Sequence, residues 1–510
     1  MKAALGLDVG TTSVKAVVIG ENGEFVVKCS SSVLPMRAPK SGWAVQATRD
    51  LRAAVLECLA SAARSLPKDV EVVSLTTAAQ SGSIVTSDRT GVIADDLTTW
   101  MDTRTSSLVD EWHSDGTSDI IRSHSGWTVH PGQGLPQLAW IRSNDPASWA
   151  NIARVGSADD LVMNWLTGMW ITNPSNAAGM ALIDVETGQW NHELCAVVGL
   201  QAIQLSEVLR SGEIVGQLLP KMAEEVGLSQ NVAVVSGGHD QACTALALGV
   251  TEPSQALLAG GTAWVLTTVI PPEATAEVGG DMNVSFHVVP QLRTASIYLG
   301  GMGASIEWWL ATSSQHRNAV RSESVSALTD DAGVYADTNL EEDRFAALDT
   351  DLDNAVSPTS PYFRPLPNDT DASQLPGAGS FTNTTPDTSD SQRALAIMEY
   401  AAFKLRTALV AIPASRRPTS LTVVGGVTRS PVWSQLIADI CQLPVTRTHE
   451  GSLPAVGAAV LGGVATGLFA NTEAALASLD LASEVIQPDP QLADLYRRRY
   501  EVHLEQESQA

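Results

Sequence analysis

Near the amino terminus, Ala3–Leu7 is a short apolar run and Val14–Ile19 is a β-branched one. Between them stand Asp8, Gly10, Thr11 and Thr12, with Lys15 just inside the second run. Two buried strands joined by a tight turn would use the glycine, which tolerates positive φ. A plain hairpin has no use for the carboxylate, the hydroxyls and the lysine. That set suits a phosphate: backbone N–H groups and the two threonine hydroxyls donate to its oxygens, Lys15 adds a point charge, and Asp8 faces a hydrated Mg2+. Taken alone, the stretch fits a turn and a phosphate loop alike.

Three further stretches carry chemistry. In "VAVVSGGHDQACTALALGV" (Val232–Val250) an apolar strand ends at Gly237-Gly238, presents His239, Asp240 and Gln241, and enters an alanine-rich helix. The carboxyl end of a strand beside a helix start is where α/β folds place ligands. Asp240 there either takes a proton from a substrate hydroxyl, with Gln241 bonding a neighbouring one, or caps the helix. No second His or Cys stands at ligand spacing from His239, which argues against a metal centre on it. In "TTWMDTR" (Thr98–Arg104), Trp100 offers a ring to stack on and Asp102 a carboxylate to accept hydroxyl hydrogen bonds, as a sugar pocket needs. An edge strand with an ion pair reads equally well. In "VVGGVTRSPVWSQLIADI" (Val423–Ile440), the bare backbone of Gly425 and Gly426 allows an adenine and its ribose to approach closely. Ser430 belongs either to that site or to the helix as its N-cap.

The elements that must hold these groups come in two similar sets. "QALLAGGTAWVLTTV" (Gln255–Val269) repeats the opening pattern: apolar run, Gly260-Gly261-Thr262, β-branched run. Val70–Gly82 and Ser420–Trp433 are each a strand followed by a glycine-bearing polar turn. This self-similarity predicts a duplicated architecture: two α/β domains divided near residue 250, with a cleft between them. Leu395, Met398, Ala402, Leu405 and Leu409 recur at helical spacing and predict a core-facing stripe. Residues 356–392, rich in Pro, Ser, Thr, Asp and Asn, read as a long loop lying as a lip over the cleft. Residues 488–510 read as a peripheral charged helix.

Length and composition set the frame. The 510 residues are 44% hydrophobic and 17% charged, enough for two or three buried cores. No apolar run reaches the roughly 18 residues of a membrane span, and Asp8 and Gly10 interrupt the first run too early for a signal peptide. The net charge of −25 opposes nucleic acid and anionic membranes as partners. Five scattered cysteines without CxxC spacing read as reduced, mostly structural thiols of a cytoplasmic protein.

In order and spacing, these stretches together resemble the FGGY family of carbohydrate kinases, within the actin-like ATPase superfamily, over almost the whole chain. "LGLDVGTTSVKAVV" is similar to the first phosphate loop, "GGHDQACTALALG" to the catalytic-base segment, "LAGGTAW" to the second phosphate loop and "VVGGVTRSPVWSQLIADICQLPV" to the adenosine segment. "LTGMWITNPSNAAGMALIDVETGQW" (Leu166–Trp190) resembles the family's middle signature. The resemblance implies an α/β fold of two ribonuclease-H-like domains, residues 1–248 on the sugar side and 249–510 on the nucleotide side. It implies ATP and Mg2+ as cofactors, with Asp8 and Asp240 at the metal and Asp240 as general base. Gln80, Trp100, Asp102, Asp240 and Gln241 would meet the sugar. Gly10, Thr11, Thr12, Lys15, Gly261, Thr262, Gly425, Gly426 and Ser430 would meet the nucleotide.

Two departures bear on the acceptor. Xylulokinases usually carry Gln-Met-His-Gly where this chain has Gln80-Ser81-Gly82-Ser83, and the glycine-rich stretch usual near "PYFRPLPND" is altered at Arg364 and Pro365. Gln241 follows the base as in glycerol kinases. A pentulose such as xylulose or ribulose is the expected acceptor, with glycerol, erythritol and gluconate as alternatives. An actin-like nucleotide switch and a non-catalytic sugar-binding regulator are the rivals from other classes. A homodimer is the base-rate expectation for the assembly.

Overall fold

The computed structural model describes residues 1–279, 282–313, 359–366 and 377–508. Its contacts divide the chain into two compact units. The first comprises Met1–Thr251, Val269–Ala295 and Ser452–Asp480. The second comprises Glu252–Thr268, Ser296–Gly451 and Leu481–Ala510.

The first unit is built on a six-stranded sheet. Its strands are β1 (Lys2–Val9), β2 (Val14–Gly20), β3 (Phe25–Ser30), β4 (Glu71–Ala79), β5 (Ile214–Gln217) and β6 (Ala233–His239), in the spatial order β5-β6-β4-β1-β2-β3. β1 pairs antiparallel with β2 and parallel with β4, and β6 also runs parallel to β4. β1 is buried at every position after Lys2, as a central strand covered on both faces must be. Helix α1 (Thr48–Ser65) follows β3 and turns Leu51, Val55, Cys58, Leu59 and Ala62 into the core. Helix α2 (Asp240–Ala247) leaves directly from the end of β6.

The second unit repeats the plan. Strands β7 (Gln255–Gly260), β8 (Trp264–Ile270), β9 (Arg293–Gly300), β10 (Ser420–Val424), β11 (Val445–Thr448) and β12 (Ser483–Ile486) lie in the order β9-β8-β7-β10-β11-β12, and helix α3 (Met302–Thr312) follows β9. β7 pairs antiparallel with β8 and parallel with β10, as β1 does with β2 and β4. The duplication read from the Gly-Thr turns is therefore present in the strand pairing itself.

A single cut near residue 248 does not reproduce these units. Helix α6 (Leu453–Ala465) comes late in the chain but packs on β1 and α2. Its small residues make this possible: a Cβ at Gly457 would collide with the backbone of Cys243 on α2. The segment 452–480 therefore belongs to the first unit.

The helical stripe from Leu395 to Leu409 lies on α4 (Asp390–Ala411), which opens with a capping box between Ser389 and Gln392. The long-loop reading needs correction where residues are described, because Tyr362–Pro365 and Gly379–Thr382 pair as an antiparallel ribbon. Residues 356–358 and 367–376 of that stretch lie outside the described residues. The tail is also not peripheral. Helix α7 (Ala493–Ser508) buries Tyr496, Arg499, Tyr500 and His503, one face at three- and four-residue spacing. Arg499 is paired bidentately with buried Glu399 of α4, Nε to Oε1 at 2.7 Å and Nη2 to Oε2 at 2.6 Å.

Removing one partner of a buried pair strands the other charge. Glu399→Ala is expected to lower the stability of the second unit by about 3–5 kcal/mol. A downward shift of its urea midpoint checks this, and an unchanged midpoint contradicts it.

Candidate active site

The functional side chains of the first unit gather at the carboxyl ends of β1, β4 and β6. Asp8, next to last in β1, is 6% exposed and stands opposite Lys15 in the β1–β2 register. Burial pushes its carboxyl up to about 7, the charge of Asp240 pushes the same way, and Lys15 opposes both. Asp240 is the first residue of α2 and is not the cap. The cap position is His239, whose side chain makes no capping bond. Asp240 stays about one-third exposed, and His239 Nε2 lies 3.1 Å from its Oδ1. The carboxylate is thus held by one neighbour and open to another. Gln241 is half-buried beside it.

Beneath His239 runs a buried polar chain. Asp159 Oδ2 accepts from Asn173 Nδ2 at 2.9 Å, and Asn173 Oδ1 accepts from Ser175 Oγ at 2.9 Å. Ser175 Oγ in turn accepts from the backbone N–H of His239 at 2.9 Å. These groups fix the end of β6 and so the direction in which Asp240 points. The sequence reading missed this chain, although Asn173 and Ser175 lie in the stretch similar to the middle signature.

Gln80, Trp100 and Thr11 form one network. Thr11 Oγ1 donates to Gln80 Oε1 at 3.1 Å and accepts from Trp100 Nε1 at 3.0 Å. Gln46, also missed, donates to the Thr11 carbonyl at 2.6 Å and accepts from Gln80 Nε2 at 3.0 Å. The Thr11 hydroxyl, expected at the phosphates, is thus joined instead to two residues expected at the sugar. Thr12 is exposed in the same turn, while Gly10 and Lys15 are half-buried. Trp100 is 47% exposed and presents its indole to solvent. Gly82 adopts φ 82°, where a Cβ would also crowd Gly132 O at 3.2 Å and Trp100 Cβ at 3.3 Å, so a histidine would be strained on this backbone.

Asp102 does not meet the expectation of a sugar ligand. It is fully buried, and its two oxygens accept from Ala44 N, from Arg104 N, Nε and Nη2, and from Gln137 Nε2. No acceptor capacity remains for a hydroxyl. Arg104, 7% exposed, lies 3.5 Å over the ring of Trp43. The ion-pair reading of this stretch is the correct one, although the pair is buried.

In the second unit a cavity of about 180 Å³ is lined by Gly260, Gly261, Thr262, Gly426, Arg429 and Trp433, among others. Trp264 and Trp433 meet at 5.2 Å there, and both indole N–H groups are buried without a hydrogen-bond partner among the described residues. Gly425 is exposed and precedes the cavity wall. Ser430 is a correction: fully buried, it caps helix α5 (Pro431–Cys441) by accepting from Trp433 N at 3.0 Å and does not line the cavity. A larger cavity of about 620 Å³ in the first unit, which Ser175 and Arg210 help line, includes none of Gln80, Trp100, Asp240 or Gln241.

The family models for the N-terminal and C-terminal domains of the FGGY carbohydrate kinases match residues 3–247 and 300–466. The chain belongs to the FGGY family of carbohydrate kinases. It is similar to a xylulose kinase of Bacillus subtilis, at 24% identity over 99% of this chain and 96% of that protein. It is also similar to an autoinducer-2 kinase of Photorhabdus laumondii, at 26% identity over 98% of this chain and 92% of that protein. Its fold is that of a xylulose kinase from Rhodospirillum rubrum, with a TM-score of 0.86, 22% identity and coverage of 99% and 98%. As an FGGY kinase it transfers a phosphoryl group to an alcohol, using ATP with Mg2+.

The residues present fit both groups. Among the described residues no set of three or more His, Cys, Asp and Glu is placed to hold a metal ion by itself. The pair Asp8 and Asp240 suits Mg2+, which keeps waters and phosphate oxygens as its other ligands. The cavity of the second unit, walled by bare glycine backbone and tryptophan rings, suits a planar base.

Asp102→Ala would leave the Arg104 guanidinium buried without its partner. It is expected to lower stability by about 3–5 kcal/mol, read as a loss of denaturation midpoint in the first unit. A sugar-affinity defect in a fully stable variant would instead restore Asp102 as a ligand.

Proposed function

We propose that this FGGY kinase phosphorylates a pentulose, with D-xylulose as the first choice, and that Asp240 is its general base. One observation carries the assignment of the base: Asp240 is the partly exposed carboxylate at the end of β6, whereas Asp102 is buried and saturated. His239 and the chain through Ser175 orient Asp240, whose carboxylate takes the proton of the acceptor hydroxyl as it attacks the γ-phosphorus in line. Trp100 offers a stacking face and Gln241 an amide for the neighbouring hydroxyls, while Gln80, 2% exposed and bonded to Thr11, Ser83 and Gln46, holds the wall behind them. Asp8, with Asp240, would hold Mg2+, which neutralises charge on the phosphates when bound. In the first unit Thr12, Lys15 and the Gly10 backbone offer donors to phosphate oxygens, and in the second Gly261, Thr262 and Gly426 line a cavity for the nucleotide.

The choice of acceptor rests on the xylulose kinase relatives and on the Gln80–Trp100 network. Ribulose, glycerol, erythritol, gluconate and the acceptor of the autoinducer-2 kinases are competitors, since Gly82 replaces the histidine usual in xylulokinases. The test is coupled ADP release with Mg-ATP across these acceptors. D-Xylulose is expected to give the highest kcat/KM, and a clear preference for another acceptor overturns the choice. Asp240→Asn keeps the shape of the site but removes the base. It is expected to lower kcat by about 10²–10⁴-fold with acceptor affinity nearly unchanged. A near-normal kcat would mean that the base lies elsewhere.

A further inference from the structure

The five cysteines do not behave alike. Cys29 on β3 is half-buried and Cys58 on α1 is fully buried, and their sulfur atoms are 4.0 Å apart. Each thiol also faces the other's backbone: Cys29 Sγ lies 3.5 Å from Cys58 O, and Cys58 Sγ lies 3.9 Å from Cys29 O. The two residues are 29 positions apart, so sequence spacing gives no hint of the pair. A bond between the sulfurs needs a closure of about 2 Å, within reach of side-chain rotation and a small shift of α1 against β3.

We propose that Cys29 and Cys58 form a modification site at which hydroperoxides convert two thiols into a reversible disulfide joining β3 to α1. The surroundings divide the roles. The Cys58 thiol, hydrogen-bonded to Cys29, draws the Cys29 thiol down to about 7 against the opposing effect of burial. Ser61, the Ala16 backbone and the charge of Arg64 add to that lowering. The same contact and burial push the Cys58 thiol up. Burial also raises Cys195 to about 11 and Cys441 to about 12, and it raises Cys243. Cys29, half-buried where Cys58 is fully buried, is the thiol a peroxide can reach, so it is the attacking thiolate and Cys58 the resolving thiol.

The chemistry closes without a further reactant. The Cys29 thiolate attacks one peroxide oxygen, the O–O bond breaks, and the leaving oxygen takes a proton as water or alcohol, giving a sulfenic acid. Cys58 sulfur then attacks that sulfur, the S–O bond breaks, and hydroxide leaves with the Cys58 proton as water. Two thiols are oxidised by two electrons and the peroxide is reduced by two. Cys29 pairs with Ala16 in the β2–β3 register, next to the pair of Lys15 with Ser30, and Ser31 Oγ accepts from Val14 N at 3.0 Å. The link would therefore lie one strand from the phosphate-loop lysine, and the site stands whatever the acceptor of the kinase is.

The test treats the folded full-length chain with hydrogen peroxide, blocks remaining thiols with N-ethylmaleimide and maps non-reduced peptides by mass spectrometry. The expected result is a Cys29–Cys58 peptide lighter by two hydrogens, lost on dithiothreitol and absent from Cys29→Ser. In Cys58→Ser a sulfenic acid should persist on Cys29 and be trapped by dimedone. Before oxidation, Cys29 should react with iodoacetamide about tenfold or more faster than Cys195 or Cys441. Oxidation of Cys29 without linkage to Cys58 in the wild type, equal pairing with the other cysteines, or resistance of both thiols to peroxide would each overturn the proposal.

Discussion

Two carboxylates of like charge sit at the carboxyl ends of parallel strands of one sheet, Asp8 buried and Asp240 partly exposed. Asp8 is next to last in β1 and Asp240 follows β6, and the two strands flank β4. Strand spacing puts their axes about 10 Å apart, near enough for the charge of Asp240 to oppose ionisation of Asp8. Such a pair repels itself and loses hydration, so the fold must hold it. Lys15, directly across the hairpin from Asp8, and His239, beside Asp240, are the partial compensation. A divalent cation with phosphate oxygens complements the arrangement, which fits the Mg2+-dependent chemistry of the family.

Much of the surrounding polar structure serves to keep these groups aimed. The chain from Asp159 through Asn173 and Ser175 anchors the end of β6. Gln46, Gln80 and Thr11 tie the first turn to the wall that carries Trp100. Asp102 belongs to this supporting class as well. Its full set of donors locks Arg104 against Trp43 and shapes the wall without touching what binds there. A site built on strand ends and braced from below loses little further freedom when it binds substrate.

The second unit uses the same strand plan for a different purpose. Where the first presents carboxylates, the second presents bare backbone at Gly260, Gly261 and Gly426 and the two tryptophans of its cavity. The strand frame is common to both units, and the turns after corresponding strands carry different residues. The return of α6 to the first unit shows how closely that frame is packed, since only glycine permits its approach to Cys243.

The local patterns were legible in the sequence because they follow from the chain's own covalent order. Strand, Gly-Thr turn and strand, the repeat of that unit, and Asp240 at a strand-to-helix junction all depend on neighbours within about twenty residues. Together with the order of the motifs, they determined the fold class, the family and the carboxylates. The tertiary structure decided everything that depends on partners distant in sequence. Asp102 and Ser430 have residue types that suit ligands, yet burial and donors from other segments commit them to the scaffold. His239 acquires its role only through the position of Asp240's side chain, and Cys29 meets Cys58 only because α1 lies against β3. Whether a polar group is free to do chemistry depends on which long-range contacts already satisfy it, and no local pattern records that.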